Sequence, residues 1–187
     1  GFALTTAKTR AKIYYDVNDA LVIKRSAELF ARDIQMVTGQ KPELIQKRER
    51  AKALVIVGTI EKNQWICELA QKGKIDIRPL QGAWERYLIQ TVDNPSPGVA
   101  KALVIAGSDR RGAAYGLFSI SEMMGVSPWY WWGDVPVKTH KALYVDAPPT
   151  YSKTPSVKYR GIFLNDEDWG LKPWAAKTFE KERGNIG

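Results

Sequence analysis

Three adjacent acids, Asp166, Glu167 and Asp168, follow Asn165 directly after the apolar run Val157–Leu164, VKYRGIFL. Glycoside hydrolysis uses a pair of carboxyl groups, one to protonate the leaving oxygen and one to activate water or attack the sugar. A parallel barrel places its catalytic groups at the C-terminal ends of its strands. Acids in a row also suit a solvated turn, and spacing alone does not separate the two readings. Arg160 and Gly161 inside the apolar run lean toward a strand facing a barrel interior, where side chains are sparse or paired.

The segment Ser127–Pro136, SPWYWWGDVP, brings Trp129, Tyr130, Trp131 and Trp132 together between two prolines. Pro128, Gly133 and Pro136 each interrupt regular structure, so the rings sit on an irregular connection. Rings on such a segment either fill an interface between domains or offer flat faces on which the C–H groups of a sugar stack. A third motif, Gly107–Gly116 (GSDRRGAAYG), stands at a strand-to-helix junction. It reads either as an anion seat helped by Arg110 and Arg111 or as an Asp-capped helix whose glycines allow close packing. It contains neither GxGxxG nor GK[ST], and Gly58-Thr59 is a weaker motif of the same kind.

Other chemistries are closed off by composition. Cys67 is the only cysteine and His140 the only histidine, which excludes disulfides within the chain and removes Cys- and His-cluster metal sites. The chain has 187 residues, a formal charge of +8, 44% hydrophobic and 26% charged residues, in the range of an ordinary globular domain. The densest basic patch, Lys41, Lys47, Arg48, Arg50 and Lys52 with Glu43 and Glu49 among them, reads as a solvated turn. No nucleic-acid-binding signature accompanies it, so no nucleic-acid partner is expected. No apolar run is long enough to span a membrane, and no signal-peptide pattern is present.

These motifs need a frame. Lys12–Val17 predicts a strand, and Ile23, Ala27, Phe30, Ile34 and Val37 predict a helix that starts at an Asp19 cap and stops at Gly39. Glu43–Gln46 and Ala53–Gly58 predict two strands, the second buried on both faces. Glu61–Lys72 predicts a helix stopped by Gly73. Arg86–Val92 and Ala102–Ala106 predict two strands whose connection, DNPSPGVAK, is too short for a helical crossover, so they pair antiparallel. Gly112–Met124 predicts a third helix. The result is a compact α/β domain of order β-α-β-β-α-β-β-α with a mixed sheet, which argues against a pure doubly wound nucleotide-binding fold. Ala142–Val145 adds a short strand, APPTYSKTPS reads as a linker, and Val157–Leu164 predicts a new strand leading toward a helical stretch, Ala175–Glu182.

In this order and spacing, GSDRRGAAYG, SPWYWWGDVP and PSVKYRGIFLNDED resemble the N-terminal portion of glycoside hydrolase family 115, the xylan α-1,2-glucuronidases. The VTG end of the first helix and the DNPSPGV connection extend the resemblance over nearly the whole chain. It implies a two-layer α/β sandwich with a mixed sheet over residues 1–150, similar to the accessory domain of β-hexosaminidases. It implies a linker and the first strand of a (β/α)8 catalytic barrel over residues 151–187. The implied activity is inverting removal of glucuronic or 4-O-methylglucuronic acid from glucuronoxylan, an acidic polysaccharide, without metal or organic cofactor, in the periplasm or outside the cell. Asp166 carries over as a catalytic residue, in substrate binding or acid/base support, and Asn165 as a substrate-binding residue that hydrogen-bonds the sugar. Trp129 and Trp131 carry over as substrate-binding candidates at the barrel mouth. The remaining barrel would lie beyond Gly187, which leaves this piece inactive by itself. A non-catalytic carbohydrate-binding or scaffolding module is the alternative, and an oligomer of the full-length enzyme is compatible with either.

Overall fold

The computed structural model describes residues 1–130 and 133–163, together with Pro173. The chain divides into two compact units, Gly1–Pro155 and Ser156–Gly187. At the centre of the first, strand β4 (Ala51–Thr59) runs parallel to β6 (Val99–Gly107). Leu54–Val57 and Ala102–Ala106 are fully buried along this pair, alternate side chains entering opposite faces. Such strands require cover on both sides.

Around that pair the sheet takes the order β3 (Leu44–Ile45), β2 (Lys12–Tyr15), β4, β6, β5 (Tyr87–Ser96) and β8 (Thr150–Tyr151). β2 lies parallel to β4, and β3 parallel to β2. β5 joins β6 antiparallel through a two-residue turn, Pro97-Gly98, with Gly98 at φ 84°. The antiparallel pairing inferred from the short connection is therefore observed, with the strands extending into that connection. The α/β fold with a mixed sheet is the one expected, and from β2 to the last helix the element order is the expected one.

Helices follow from apolar spacing. In α1 (Leu21–Thr38), Ile23, Ala27, Phe30, Ile34 and Val37 are all fully buried. They meet Ala113, Leu117 and Ile120 of α3 (Arg110–Met123) over one face of the sheet. On the other face α2 (Gln64–Gln71) buries Trp65, Ile66 and Leu69, so the second face is covered as well as the first. Tyr14 meets the Trp65 ring edge-on at 4.9 Å, and the Arg48 guanidinium lies 4.9 Å over the same ring while gripping Glu68 with two hydrogen bonds. Gly39, at φ 72°, closes α1 by donating its N–H to Gln35 O at 2.8 Å.

Two local expectations are corrected, and one strand is present that the sequence reading did not foresee. Asp19 does not cap α1; the N-cap is Ala20, and the Asp19 carboxylate accepts from Thr59 instead, from its N–H at 2.7 Å and its hydroxyl at 3.1 Å. Phe2–Thr5, read as nothing, forms β1, which pairs antiparallel with β7 (Leu143–Val145) in a separate two-stranded sheet. Part of the stretch read as linker, Thr150–Tyr151, is β8, an edge strand on β5. Of the expected Val157–Leu164 strand, residues 157–163 are described and pair with no strand among the described residues, and Leu164 lies outside them. A strand needs neighbours for its backbone groups, and none of the described residues supplies them to this segment.

Two glycines mark where helix and sheet touch. A methyl group at Gly112 would come within 2.1 Å of the Arg86 carbonyl oxygen, and one at Gly107 within 2.1 Å of the Ala113 nitrogen. Gly112→Ala ought to raise helix propensity by up to about 1 kcal/mol. Forcing backbone apart in a packed site costs about 1–3 kcal/mol, so the clash wins. Urea unfolding of Gly112→Ala is expected to show a net loss of stability; a neutral or stabilised variant would contradict the close approach.

Candidate functional site

Open parallel sheets bind ligands outside the C-terminal ends of their strands, where the strand order reverses. In this sheet that point lies between β2 and β4, because β3 follows β2 on one side and β4 returns to the other. Asp16, Asp19, Thr59 and Asn63 all stand there. Asp16 accepts from the Asn18 N–H at 2.9 Å and the Gln64 N–H at 3.3 Å. Asn63 donates to Val57 O at 3.0 Å and caps α2 by accepting from the Trp65 and Ile66 N–H groups, both at 3.1 Å. A side-chain carbon at Gly58 would fall 2.4 Å from Asn63 Nδ2. The crevice is thus filled by the protein's own polar groups, and a nucleotide has no seat in it.

The α3 N-terminus is closed in the same way. The Asp109 carboxylate accepts from the Arg111 N–H at 2.9 Å, the Gly112 N–H at 2.8 Å and the Glu85 N–H at 2.7 Å. Arg111 pairs with the buried Glu85 at 2.9 Å, and that pairing holds the guanidinium firmly charged. Of the two readings of GSDRRGAAYG, the Asp-capped, closely packed helix is the observed one. The neighbouring Arg86 donates to Pro79 O and to Ser152 O, each at 2.8 Å, which ties the segment after β8 to the sheet.

The aromatic segment begins as a turn built on Ser127. Its carbonyl accepts from the Tyr130 N–H at 3.0 Å and its hydroxyl from the Trp129 N–H at 3.1 Å. Gly133 N–H closes on Trp129 O at 2.7 Å. Trp129 is 66% exposed, so its ring is available as a flat apolar face. Trp131, Asn165 and Asp166 lie outside the described residues; of the site residues read from the sequence, Trp129 alone is placed.

Beside the turn, a groove of about 560 Å³ runs between α1 and α3, lined among others by Arg32, Asp33, Tyr115, Phe118, Ser121 and Tyr130. Asp33 is buried, and burial pushes its carboxyl above the usual carboxylate range, against the opposing pull of the Ser121 hydroxyl and the Arg32 charge. Sequence reasoning passed over Asp33. Its signal was present: it stands three residues after Phe30 and four before Val37, on the stripe that packs against the sheet. Among the described residues no group of His, Cys, Asp and Glu side chains is arranged to hold a metal ion, and no helix is long and apolar enough to cross a membrane.

The family model for glycosyl hydrolase family 115 matches residues 152–186. In structure, the chain is similar to BtGH115A, described as a family GH115 4-O-methyl-α-glucuronidase with specificity for decorated arabinogalactans. The two share 34% identity with a TM-score of 0.75, over 96% of this chain and 22% of BtGH115A. A GH20 β-N-acetylhexosaminidase from Streptomyces coelicolor A3(2) aligns at 13% identity and a TM-score of 0.43, over 83% of this chain and 24% of its own. The chain therefore spans about a fifth to a quarter of the length of these proteins. No curated protein matches the sequence.

Asp109→Ala removes the cap shared by α3 and Glu85 and is expected to cost about 1–2 kcal/mol in urea unfolding, without changing any response to phosphate. Asp33 behaves oppositely. Its folded carboxyl titrates above its ordinary 3.8, so the folded state carries a penalty that is absent below that pH and fully present above the raised folded value. Asp33→Asn is expected to be more stable than the parent at pH 7, with the difference vanishing below about pH 3.8. Paired unfolding curves at the two pH values check the sign.

Proposed function

The chain belongs to glycosyl hydrolase family 115, and from that premise we propose that it is part of an inverting α-glucuronidase. The complete enzyme would release glucuronic or 4-O-methylglucuronic acid side chains from glucuronoxylan, outside the cell or in the periplasm, where that polymer is met. The observation that carries this reading is 34% identity over 96% of the chain to a 4-O-methyl-α-glucuronidase of the family.

In this reading residues 1–150 are an accessory domain. Residues 151–187 are a linker and the first strand of a (β/α)8 barrel that the rest of the enzyme completes. The exposure of Tyr159, Ile162 and Phe163, at 85%, 79% and 91%, supports it, since apolar side chains in a row call for cover from a larger assembly. An inverting glycosidase sets its two carboxyl groups about 6.5–9.5 Å apart, leaving room for the attacking water. Asp166 is one of that pair or its direct support, and Asn165 hydrogen-bonds the sugar. The second acid falls in the remainder of the enzyme. Trp129 and Trp131 offer stacking faces at the barrel mouth.

One observation favours a different backbone for the same side group. BtGH115A is specific for decorated arabinogalactans. A complete enzyme containing this segment, given glucuronoxylan and glucuronic-acid-bearing arabinogalactan in parallel, separates the two by which polymer releases the acid. The chain by itself is expected to release none from either. In the complete enzyme Asp166→Ala should abolish turnover while leaving the unfolding midpoint unchanged. Near-normal turnover in that variant removes the assignment, and glycan binding without turnover by the complete protein would point to a carbohydrate-binding module.

A further inference from the structure

Arg50 and Lys52, two of the residues read from the sequence as a solvated basic turn, line a cleft. Between the start of β4, the end of α2 and the β5–β6 hairpin lies an open cleft of about 790 Å³. Arg50, Lys52, Lys72 and Lys74 line it, and no carboxylate does. The carboxylates nearest in sequence are already engaged: Glu49 pairs with Lys12, Asp76 with Arg78 at 2.7 Å and Asp93 with Lys101 at 3.1 Å, and Glu68 is held by both nitrogens of Arg48. Lys72 lies within the field of Glu68, whereas neither Arg50 nor Lys52 pairs with an acid among the described residues. Lys74 is fixed in place by donating to Asn94 O at 2.6 Å.

The floor of the cleft is rigid. The Pro97-Gly98 turn is clamped to β4 by the Ala51 N–H donating to Gly98 O at 3.0 Å. The Arg50 stem lies over that turn, so close that a side-chain carbon on Gly98 would come within 2.9 Å of Arg50 Cγ. Pro97 adds an exposed aliphatic ring to the lining, while Pro95 and Val99, which also line the cleft, are buried. No aromatic side chain lines the cleft, so it lacks the platform on which nucleic-acid bases stack. Cations beside an exposed proline ring match a pyranose that carries a carboxylate: its C–H face meets Pro97 and its anion meets the lysines and arginine.

We propose that this cleft binds the uronic acid groups of an acidic polysaccharide, as a second anchor separate from the hydrolytic site. The choice of glycan rests on the glucuronidase reading above. Uronic acids recur along such a polymer, so a second foothold raises the effective concentration of the remaining side groups.

Calorimetric titration of the chain with glucuronoxylan fragments, with the same fragments after carboxyl reduction, and with heparin tests it. Binding of the acidic fragments is expected, with loss on carboxyl reduction and weakening as salt screens the contacts. The double variant Lys52→Glu/Lys72→Glu should bind about tenfold or more weakly, since each reversal replaces an attraction by a repulsion. Lys8→Glu, exposed and outside the cleft, should bind as the parent does, and matched unfolding curves for all variants show that the fold is kept. Equal binding of the reduced glycan, or an unchanged double variant, overturns the proposal. Heparin binding more tightly than the uronate glycan through the same lysines overturns it in favour of an unselective polyanion surface. Release of glucuronic acid by the complete enzyme from a short oligosaccharide tests the hydrolytic reading independently, so failure of the cleft leaves that reading standing.

Discussion

The whole first unit depends on covering the β4–β6 pair on both faces. Burying Leu54–Val57 and Ala102–Ala106 supplies the main apolar driving force, and it is available only if helices lie above and below. That requirement sends α1 and α3 to one face and α2 to the other. It makes the β2-to-β3 and β4-to-β6 connections run over the sheet, and it leaves β5 free to return by a hairpin because no further layer is needed there. The glycines at 107 and 112 are consequences of the same demand. A helix that must lie directly on the sheet leaves no room for a side chain on Gly112, where its first turn meets the Arg86 carbonyl, or on Gly107, where the end of β6 meets the Ala113 nitrogen.

Closing the sheet in this way also decides where chemistry is absent. The end of the sheet at which comparable folds hold nucleotides is spent on structure: Asp16, Asp19, Thr59 and Asn63 satisfy one another and the backbone, and Asp109 occupies the helix terminus that could have held an anion. A fold does not bring a function with it. This sheet has kept the architecture and filled the crevice, so what remains for ligands lies on the connections: the Trp129 turn, the α1–α3 groove and the cationic hairpin cleft.

How far the sequence could be read follows the range of each interaction. The stripe Ile23–Val37, the doubly buried ALVIV run and the hairpin between β5 and β6 are local patterns, and all three were legible from spacing alone. β1 was not, because Phe2 finds its partner at Val145, at the far end of the unit, and nothing in FALT announces that pairing. Asp19 was misread for a related reason. A cap and a tertiary clamp ask for the same residue just before a helix, and the Thr59 that decides between them lies forty residues away in sequence. Asp33 was overlooked because an acid on an apolar stripe looks like an interruption until the groove beside it is seen. Of the site, Trp129 was placed as an exposed ring, while Asn165, Asp166 and Trp131 rest on resemblance.

The two kinds of likeness to family 115 fall on different parts of the chain, and the division has a physical sense. The family model recognises residues 152–186, whereas the structural similarity extends over 96% of the chain. A packed α/β layer is specified by volume, periodicity and a few close approaches, conditions that many sequences meet. A segment that presents particular polar groups to a sugar has far fewer solutions, because each group must have the right chemistry as well as the right size. A sequence pattern therefore concentrates in residues 152–186, and the packed layer before them is recognised by its shape. On that argument the Arg86–Ser152 hydrogen bond gains significance: it fixes to the sheet the residue at which the family match begins.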